Sequence, residues 1–270
     1  MEICDLDLTF LKDQIGPKKG QKLYRLVLPL FINFLKIIIF FLLFSSCSIN
    51  EERKSNFAKV NEKNQYVNNY IDEQKVGKRN FLKFFFKNLF DPTPKKKFEM
   101  VPLDDLIYRD DLHALTWSGH STFLYKNGNI NVLVDPHFSQ RASPFPFLGP
   151  KRYTPSVLNE ENIPRIDVVA ISHNHYDHLD FETVKSISQK FPEALFVVPL
   201  GLKKWFEKHH IYNVKEFDWW QSLEFKNTKI VFVPVQHWSK RTFFDRNESL
   251  WGGWWFETKD RKFLHLGDTG

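Results

Sequence analysis

Residues 171–180 read ISHNHYDHLD. The run His173-x-His175-x-Asp177-His178 places three imidazoles and a carboxylate within six positions, directly after IDVVAIS at 166–172. A short, nearly continuous apolar run of that kind is a buried strand. The four polar residues therefore leave its end together. In extended backbone, residues i and i+2 project to the same side. His173 and His175 can thus grip one ion, and imidazole is a standard zinc ligand. Asp177 and His178 are adjacent and turn toward a second position, where a carboxylate and an imidazole suit another zinc-like ion. The next segment, DFETVKSISQKF at 180–191, has apolar residues at 181, 184, 187 and 191, a helical stripe that holds the turn rigid. An isolated histidine is usually only a satisfied polar residue. Four ligand-type side chains at this spacing behind a buried strand form a metal-binding turn.

Two later residues stand in the same kind of place. His237 follows the strand-like IVFVPVQ, and Asp268 follows KFLHLG, where Gly267 and Gly270 permit close backbone approach. Both are read as further ligands. Between these points HALTWSGHSTFLY and INVLVDP flank Asn127-Gly128, a hairpin signal. FSQRASPFPFLGPKRYTP is a loop by its Pro and Gly content. ALFVVP, VKEFDWW, LEFKNTKIVFVPV, LWGGWWFET and KFLHLGD read as strands, and GLKKWFEKHH as a short helix. The order is β-rich, then mixed, then β-rich, with no internal repeat.

The chain has 270 residues, enough for one large domain or two small ones, and all 8 Trp lie between Trp117 and Trp255. Charge is uneven. Residues 1–100 hold 18 Lys and Arg against 11 Asp and Glu, while residues 101–270 hold 20 against 21. A nucleic-acid enzyme carries its basic surface on the folded domain; this balance argues against nucleic acid and for an anionic membrane surface beside the basic leader. The 2 Cys, Cys4 and Cys47, lie outside the Trp-rich part, which excludes a disulfide framework or a Cys-based metal site there.

The leader contains LVLPLFINFLKIIIFFLLF at 26–44, interrupted by Asn33 and Lys36. Its uninterrupted part, Ile37–Phe44, is followed by Ser45-Ser46-Cys47. A cation, an apolar core and small residues form a secretory signal pattern. Cys47 then sits where a bacterial lipoprotein is cleaved and lipidated, with Phe44 where Leu is usual; an uncleaved signal anchor is the other reading. Either makes the chain membrane-associated in a bacterial cell envelope. Residues 48–80 are polar and read as a flexible tether. The five Phe of Phe81–Phe90, spaced by Lys83 and Lys87, form an arm that lies on a membrane or packs on the domain. The expected organisation is a leader at 1–47, tether and arm at 48–98, and a domain at 99–270.

His-x-His-x-Asp-His is the hallmark of the metallo-β-lactamase superfamily, which this chain resembles. WSGHSTFL, VDPHFSQRASPFPFLGPKRY, ISHNHYDHLD, VPLGLKKWF, DWW, QHWSKR, LWGGWW and GDTG, in that order, narrow the resemblance to the N-acyl-phosphatidylethanolamine-hydrolysing phospholipase D family of zinc phosphodiesterases. The resemblance implies an α/β layered fold, an αββα sandwich with two zinc ions at one edge. Carried over by position, His173, His175 and His237 hold one ion, Asp177 and His178 the other, and Asp268 bridges them. It implies a phospholipid substrate and an activated water that attacks the phosphodiester, with Asp177 and Asp268 orienting it. Lys151, Arg152, Lys240 and Arg241 lie in the two most family-specific loops and are read either as attracting phosphate or as solvated surface charge. His120 is read as a core or supporting residue rather than a ligand, and His113, His137, His209, His210 and His265 have no partner pattern. The family uses one more His beyond the bridging Asp, together with later strands and helices. With the sequence ending at Gly270, the expectation is a sandwich whose C-terminal part is missing, closer to one zinc than two, with weak or no turnover. The competing readings are another hydrolase of the fold, a lactonase or a nuclease, and an inactive remnant that binds metal or membrane only.

Overall fold

A computed structural model describes residues 55–69, 101, 103–128 and 130–270. Its largest element is a sheet of six strands in the order β3-β4-β5-β6-β7-β8. These are β3 (His113–Trp117), β4 (Phe123–Asn127), β5 (Ile130–Val134), β6 (Val168–Ala170), β7 (Leu195–Pro199) and β8 (Val214–Phe217). β3, β4 and β5 pair antiparallel, with Asn127 opposite Ile130 at the expected hairpin. From β5 to β8 the pairing is parallel. Parallel neighbours need a crossover, and the crossover from β6 to β7 carries helix α1 (Phe181–Lys190). A shorter helix, α2 (Lys203–Lys208), links β7 to β8.

The second sheet is antiparallel, in the order β12-β11-β10-β9. It comprises β9 (Ser222–Phe225), β10 (Thr228–Val233), β11 (Gly253–Glu257) and β12 (Lys262–His265). The stretch LEFKNTKIVFVPV thus contains a hairpin rather than one strand. Lys226 and Asn227 at its tip have φ of +48° and +61°, as a tight two-residue reversal between strands requires.

Alternation along the strands sorts the side chains into two cores. On one face of the large sheet, Leu133, Val169, Phe196 and Val198 pack with Val184 and Ile187 of α1 and Phe206 of α2. On the other, Val132, Val134, Val168, Ala170 and Val197 meet Ile230, Phe232, Trp254 and Phe256 of the second sheet. The described layers are therefore helix, sheet, sheet, an α/β layered sandwich. Buried indoles need partners for their N–H: Trp254 Nε1 donates to Ile171 O at 2.9 Å and Trp219 Nε1 to Trp251 O at 2.6 Å. The first of these bonds ties the second sheet to the root of the 173–178 turn. Gly252 faces Phe232 so closely that a Cβ there would lie 2.4 Å from its ring.

The segment read as a flexible tether departs from expectation at 55–69. β1 (Lys59–Val60) and β2 (Tyr66–Val67) form an antiparallel hairpin within the same compact unit as the sandwich, residues 52–270. Tyr66 and Ala58 are buried in the inter-sheet core, and Asp218 accepts from Ser55 Oγ and from the main-chain N–H of Asn56 and Phe57. A few buried side chains and one buried carboxylate outweigh the polar composition. The leader at 1–47 and the Phe81–Phe90 arm lie outside the described residues. Among the described residues no helix is long and apolar enough to cross a membrane.

Candidate metal centre

All six residues singled out in the sequence lie just beyond the C-terminal ends of strands: His173, His175, Asp177 and His178 after β6, His237 after β10 and Asp268 after β12. Ends of parallel strands, where the chain turns into a helix, are the usual place for a site in an open α/β sheet. Here two sheets contribute to one rim.

The structure brings these side chains into two groups, His173, His175, His237 and Asp268 in the first and Asp177 and His178, joined by His120, in the second. In the first, His173 Nε2 lies 2.8 Å from His175 Nδ1. His237 Nε2 lies 3.2 Å from the former and 3.3 Å from the latter. In the second group, His178 Nε2 is 3.8 Å from Asp177 Oδ2. Asp268 stands between the groups, its Oδ2 3.8 Å from His237 Nε2 and its Oδ1 3.3 Å from His178 Nε2.

A neutral imidazole has one donor and one acceptor nitrogen. Three ring nitrogens within 3.3 Å of one another cannot all be satisfied by hydrogen bonds among themselves. With an Asp268 oxygen they lie within 4.8 Å of one another, close enough to share one four-coordinate cation. His178 Nε2 is buried and makes no hydrogen bond, although a carboxylate oxygen is 3.3 Å away. Both features fit divalent ions, and the donor set of imidazoles and carboxylates is of the zinc-like class.

The protonation states suit that role. Burial, then the neighbouring imidazoles, holds His173 far below the ordinary histidine range. Burial, reinforced by His237, lowers His175 to about 3, and burial lowers His237 to about 4. Burial pushes Asp177 up, but its bond from His120 and the charge of His178 prevail and leave it below the usual carboxylate range. Asp268 is lowered, chiefly by the neighbouring His178. His178 is the exception: burial lowers it, yet Asp135 and the two site carboxylates lift it to about 10. The surroundings that attract a proton to this nitrogen attract a cation equally.

Two further residues support the candidate ligands: Asp135, which sequence alone does not reveal, and His120, which takes the supporting rather than the core role. Asp135, fully buried after β5, accepts from Ser172 N at 2.7 Å, Ser172 Oγ at 2.6 Å and His178 Nδ1 at 2.8 Å. The last bond fixes the tautomer that leaves Nε2 facing the site. The only signal was an acid at the end of the strand-like INVLVDP. His120 is not a core residue. It is exposed, sits in the left-handed region at φ +48°, and its Nε2 lies 2.9 Å from Asp177 Oδ2. His265 is also partnered: Nδ1 accepts from Gly267 N at 3.1 Å, so Nε2 donates to Ser121 O at 3.0 Å.

Of the four loop cations, two are structural. Arg152 donates to the carbonyls of Ser118, Thr154 and His137. Arg241 Nη1 donates to Leu179 O at 2.7 Å and Asn174 O at 3.2 Å, with its guanidinium 4.1 Å from the Tyr176 ring. It therefore clamps the 173–179 turn from behind. Gly267 has φ +60°, and a Cβ there would meet Ser172 Cβ at 2.6 Å, whereas Gly270 has open space around it.

A profile of the beta-lactamase superfamily domain matches residues 130–270. N-acyl-phosphatidylethanolamine-hydrolyzing phospholipase D 1 of Caenorhabditis elegans is 38% identical over 193 residues, 66% of this chain and 54% of the relative. The mitochondrial N-acyl-phosphatidylethanolamine-hydrolyzing phospholipase D of Saccharomyces cerevisiae is 36% identical over 162 residues, 57% of this chain and 34% of the relative. Among solved structures, CmlA, a diiron beta-hydroxylase from Streptomyces venezuelae, aligns with a TM-score of 0.42 at 27% identity, over 57% of this chain and 29% of that one. The chain spans about half the length of the curated relatives it matches. On the superfamily match and the identity to these relatives, the chain belongs to the metallo-β-lactamase superfamily and is N-acyl-phosphatidylethanolamine phospholipase D-like in sequence.

Proposed function

We propose that this chain carries the metal centre of a zinc-dependent phosphodiesterase that acts on phospholipids of the N-acyl-phosphatidylethanolamine type at a membrane surface. The observation that supports it most is the convergence of His173, His175 and His237 nitrogens within 3.3 Å, with Asp268 between them and His178. The names of the worm and yeast relatives support the substrate class.

In this reading His173, His175 and His237 would hold one ion and Asp177 and His178 a second, with Asp268 placed to serve both. When bound, divalent ions supply Lewis acidity and bring the pKa of a water close to neutrality. Asp177 and Asp268, both held below the usual carboxylate range, would orient a water, and either could accept its proton. Hydrolysis adds the water oxygen to phosphorus, breaks the bond to the ethanolamine oxygen and returns a proton to that oxygen. The products are a phosphatidic acid and an N-acylethanolamine. Trp238, edge-on to the His175 ring at 4.3 Å, forms an apolar wall beside the first ligand group. Lys151, exposed in its loop, is a candidate to attract the phosphate, since Arg152 and Arg241 are committed to carbonyls. The basic leader, with Ile37–Phe44 before Cys47, supplies the tether to the membrane.

The full chain, stripped of metal and reloaded with zinc, is to be assayed on N-acyl-phosphatidylethanolamine vesicles, on a simple aryl phosphodiester and on a lactone. Release of phosphatidic acid, even weak, that disappears in Asp177→Asn would support this reading. Zinc binding with lactone turnover alone would assign another hydrolase of the fold, and zinc binding with no turnover would leave a binding role only.

A further inference from the structure

The hairpin of residues 55–69 lies against the loop that carries His237. Asn68 meets the main chain of that residue at two points. Its Nδ2 donates to His237 O at 2.9 Å, and His237 N donates to Asn68 Oδ1 at 3.2 Å. One side chain thus holds both peptide groups of a candidate ligand. Neighbouring hairpin residues hold the far limb of the same loop: Gln65 Nε2 donates to Arg246 O at 3.0 Å and Tyr66 N to Asn247 O at 2.9 Å. The hairpin itself is fixed at its other end, where Ser55 Oγ and Asn56 N each donate to Asp218 Oδ2 at 2.7 Å.

His237 lies beyond the end of β10, outside any strand, so no ladder sets its backbone. Its imidazole must nonetheless stay within 3.3 Å of two others contributed by a different sheet. A side-chain amide that donates and accepts at once replaces the missing ladder rung. We propose that Asn68 is a positioning residue for His237, and that the hairpin 55–69, which precedes the superfamily-matched residues 130–270, is a working part of the metal centre. This rests on reading the three imidazoles as ligands of one ion. Supporting residues of ligands commonly change metal affinity roughly 10–100-fold when removed.

The test uses the full chain with Asn68→Ala, Asn68→Asp and Ser55→Ala. Zinc dissociation constants are measured by competition with a chromophoric chelator, cobalt(II) spectra report the imidazole site, and thermal unfolding is followed in chelator. Asn68→Ala is expected to weaken the tighter ion by roughly tenfold or more and to alter the cobalt spectrum. Ser55→Ala, which loosens the distant end of the hairpin, is expected to leave affinity within a factor of about two, below the 10–100-fold range for lost support. Asn68→Asp keeps the acceptor and the size and is expected to fall between; if the alanine variant does not fold, this variant decides. Wild-type affinity in either Asn68 variant, or an equal loss in Ser55→Ala, overturns the proposal while leaving the metal reading intact. A wild-type chain that binds zinc no better than His173→Ala overturns the metal reading and the proposal with it.

Discussion

Asp135 and His178 meet in the interior of the molecule, both fully buried, with Nδ1 donating to the carboxylate at 2.8 Å. The contact exists because β5 and β6 run parallel with Val134 beside Ala170, so the residues just past each strand end fall side by side. The same carboxylate binds Ser172 through its N–H and hydroxyl, so one acid sets both the path of the turn and the tautomer of the ligand at its end.

Replacing Asp135 by Asn removes the charge behind His178 while keeping the shape. The ion held at His178 is expected to bind roughly 10–100-fold more weakly, the usual range for a lost ligand partner. The ion at His173, His175 and His237 is expected to keep its affinity. Stepwise zinc removal by a graded chelator series separates the two, and a uniform loss at both would show that Asp135 acts on the fold alone.

The two groups predict distinct metal stoichiometries. His237→Ala is expected to lose the first ion and keep the second, His178→Ala the reverse, and Asp268→Ala to weaken both, because its oxygens face both groups. Elemental analysis of chains dialysed against trace zinc reads this directly. An Asp268→Ala chain that retains both ions at wild-type affinity would remove the bridge from the scheme.

Arg241→Ala leaves the carbonyls of Leu179 and Asn174 without their cation and empties the space over Tyr176. Loss of buried charge-assisted bonds of this kind costs about 2–3 kcal/mol, so a fall of several degrees in the unfolding midpoint is expected. Arg241→Lys keeps the charge but not the planar fork and is expected to recover less than half. A surface role in phosphate attraction would instead leave stability unchanged and raise KM.

Gly267→Ala places a methyl 2.6 Å from Ser172 Cβ at a left-handed φ of +60°. The backbone term alone costs about 1–2 kcal/mol, and relief of the clash moves the neighbouring Asp268. Weaker binding of both ions together with a lower melting point is expected by chelator competition and calorimetry; a stability loss with both affinities unchanged would show that Asp268 tolerates the shift.

For the leader, Cys47→Ser is expected to abolish incorporation of a fatty-acid probe in cells that process lipoproteins. Unchanged labelling would remove the lipid anchor and leave the uncleaved apolar segment as the tether.

The turn at 173–178 was legible in the sequence because its chemistry is local: four ligand-type residues at short spacing behind one buried strand. His237 and Asp268 were legible by position, since each closes an apolar run. Asp135 was not, because its meaning depends on which strands lie side by side, and pairing leaves no mark in a single strand; His120 was read as core or supporting, and its bond to Asp177 decides for the second. Arg152 and Arg241 carried the prior of their residue type, solvated charge, against which one sequence offers nothing. The 55–69 hairpin was hidden by composition: its stability comes from Tyr66, Ala58 and the Asp218 carboxylate, too few groups to register as a pattern.

Because the six residues proposed as ligands are drawn from three strand ends in two different sheets, the candidate centre does not exist in the chain until both sheets have closed on each other. Isolated pieces of the turn offer an ion two imidazoles at most in the favourable geometry, and His237 and Asp268 come from the other sheet. Loading is therefore a late event, coupled to folding rather than preceding it.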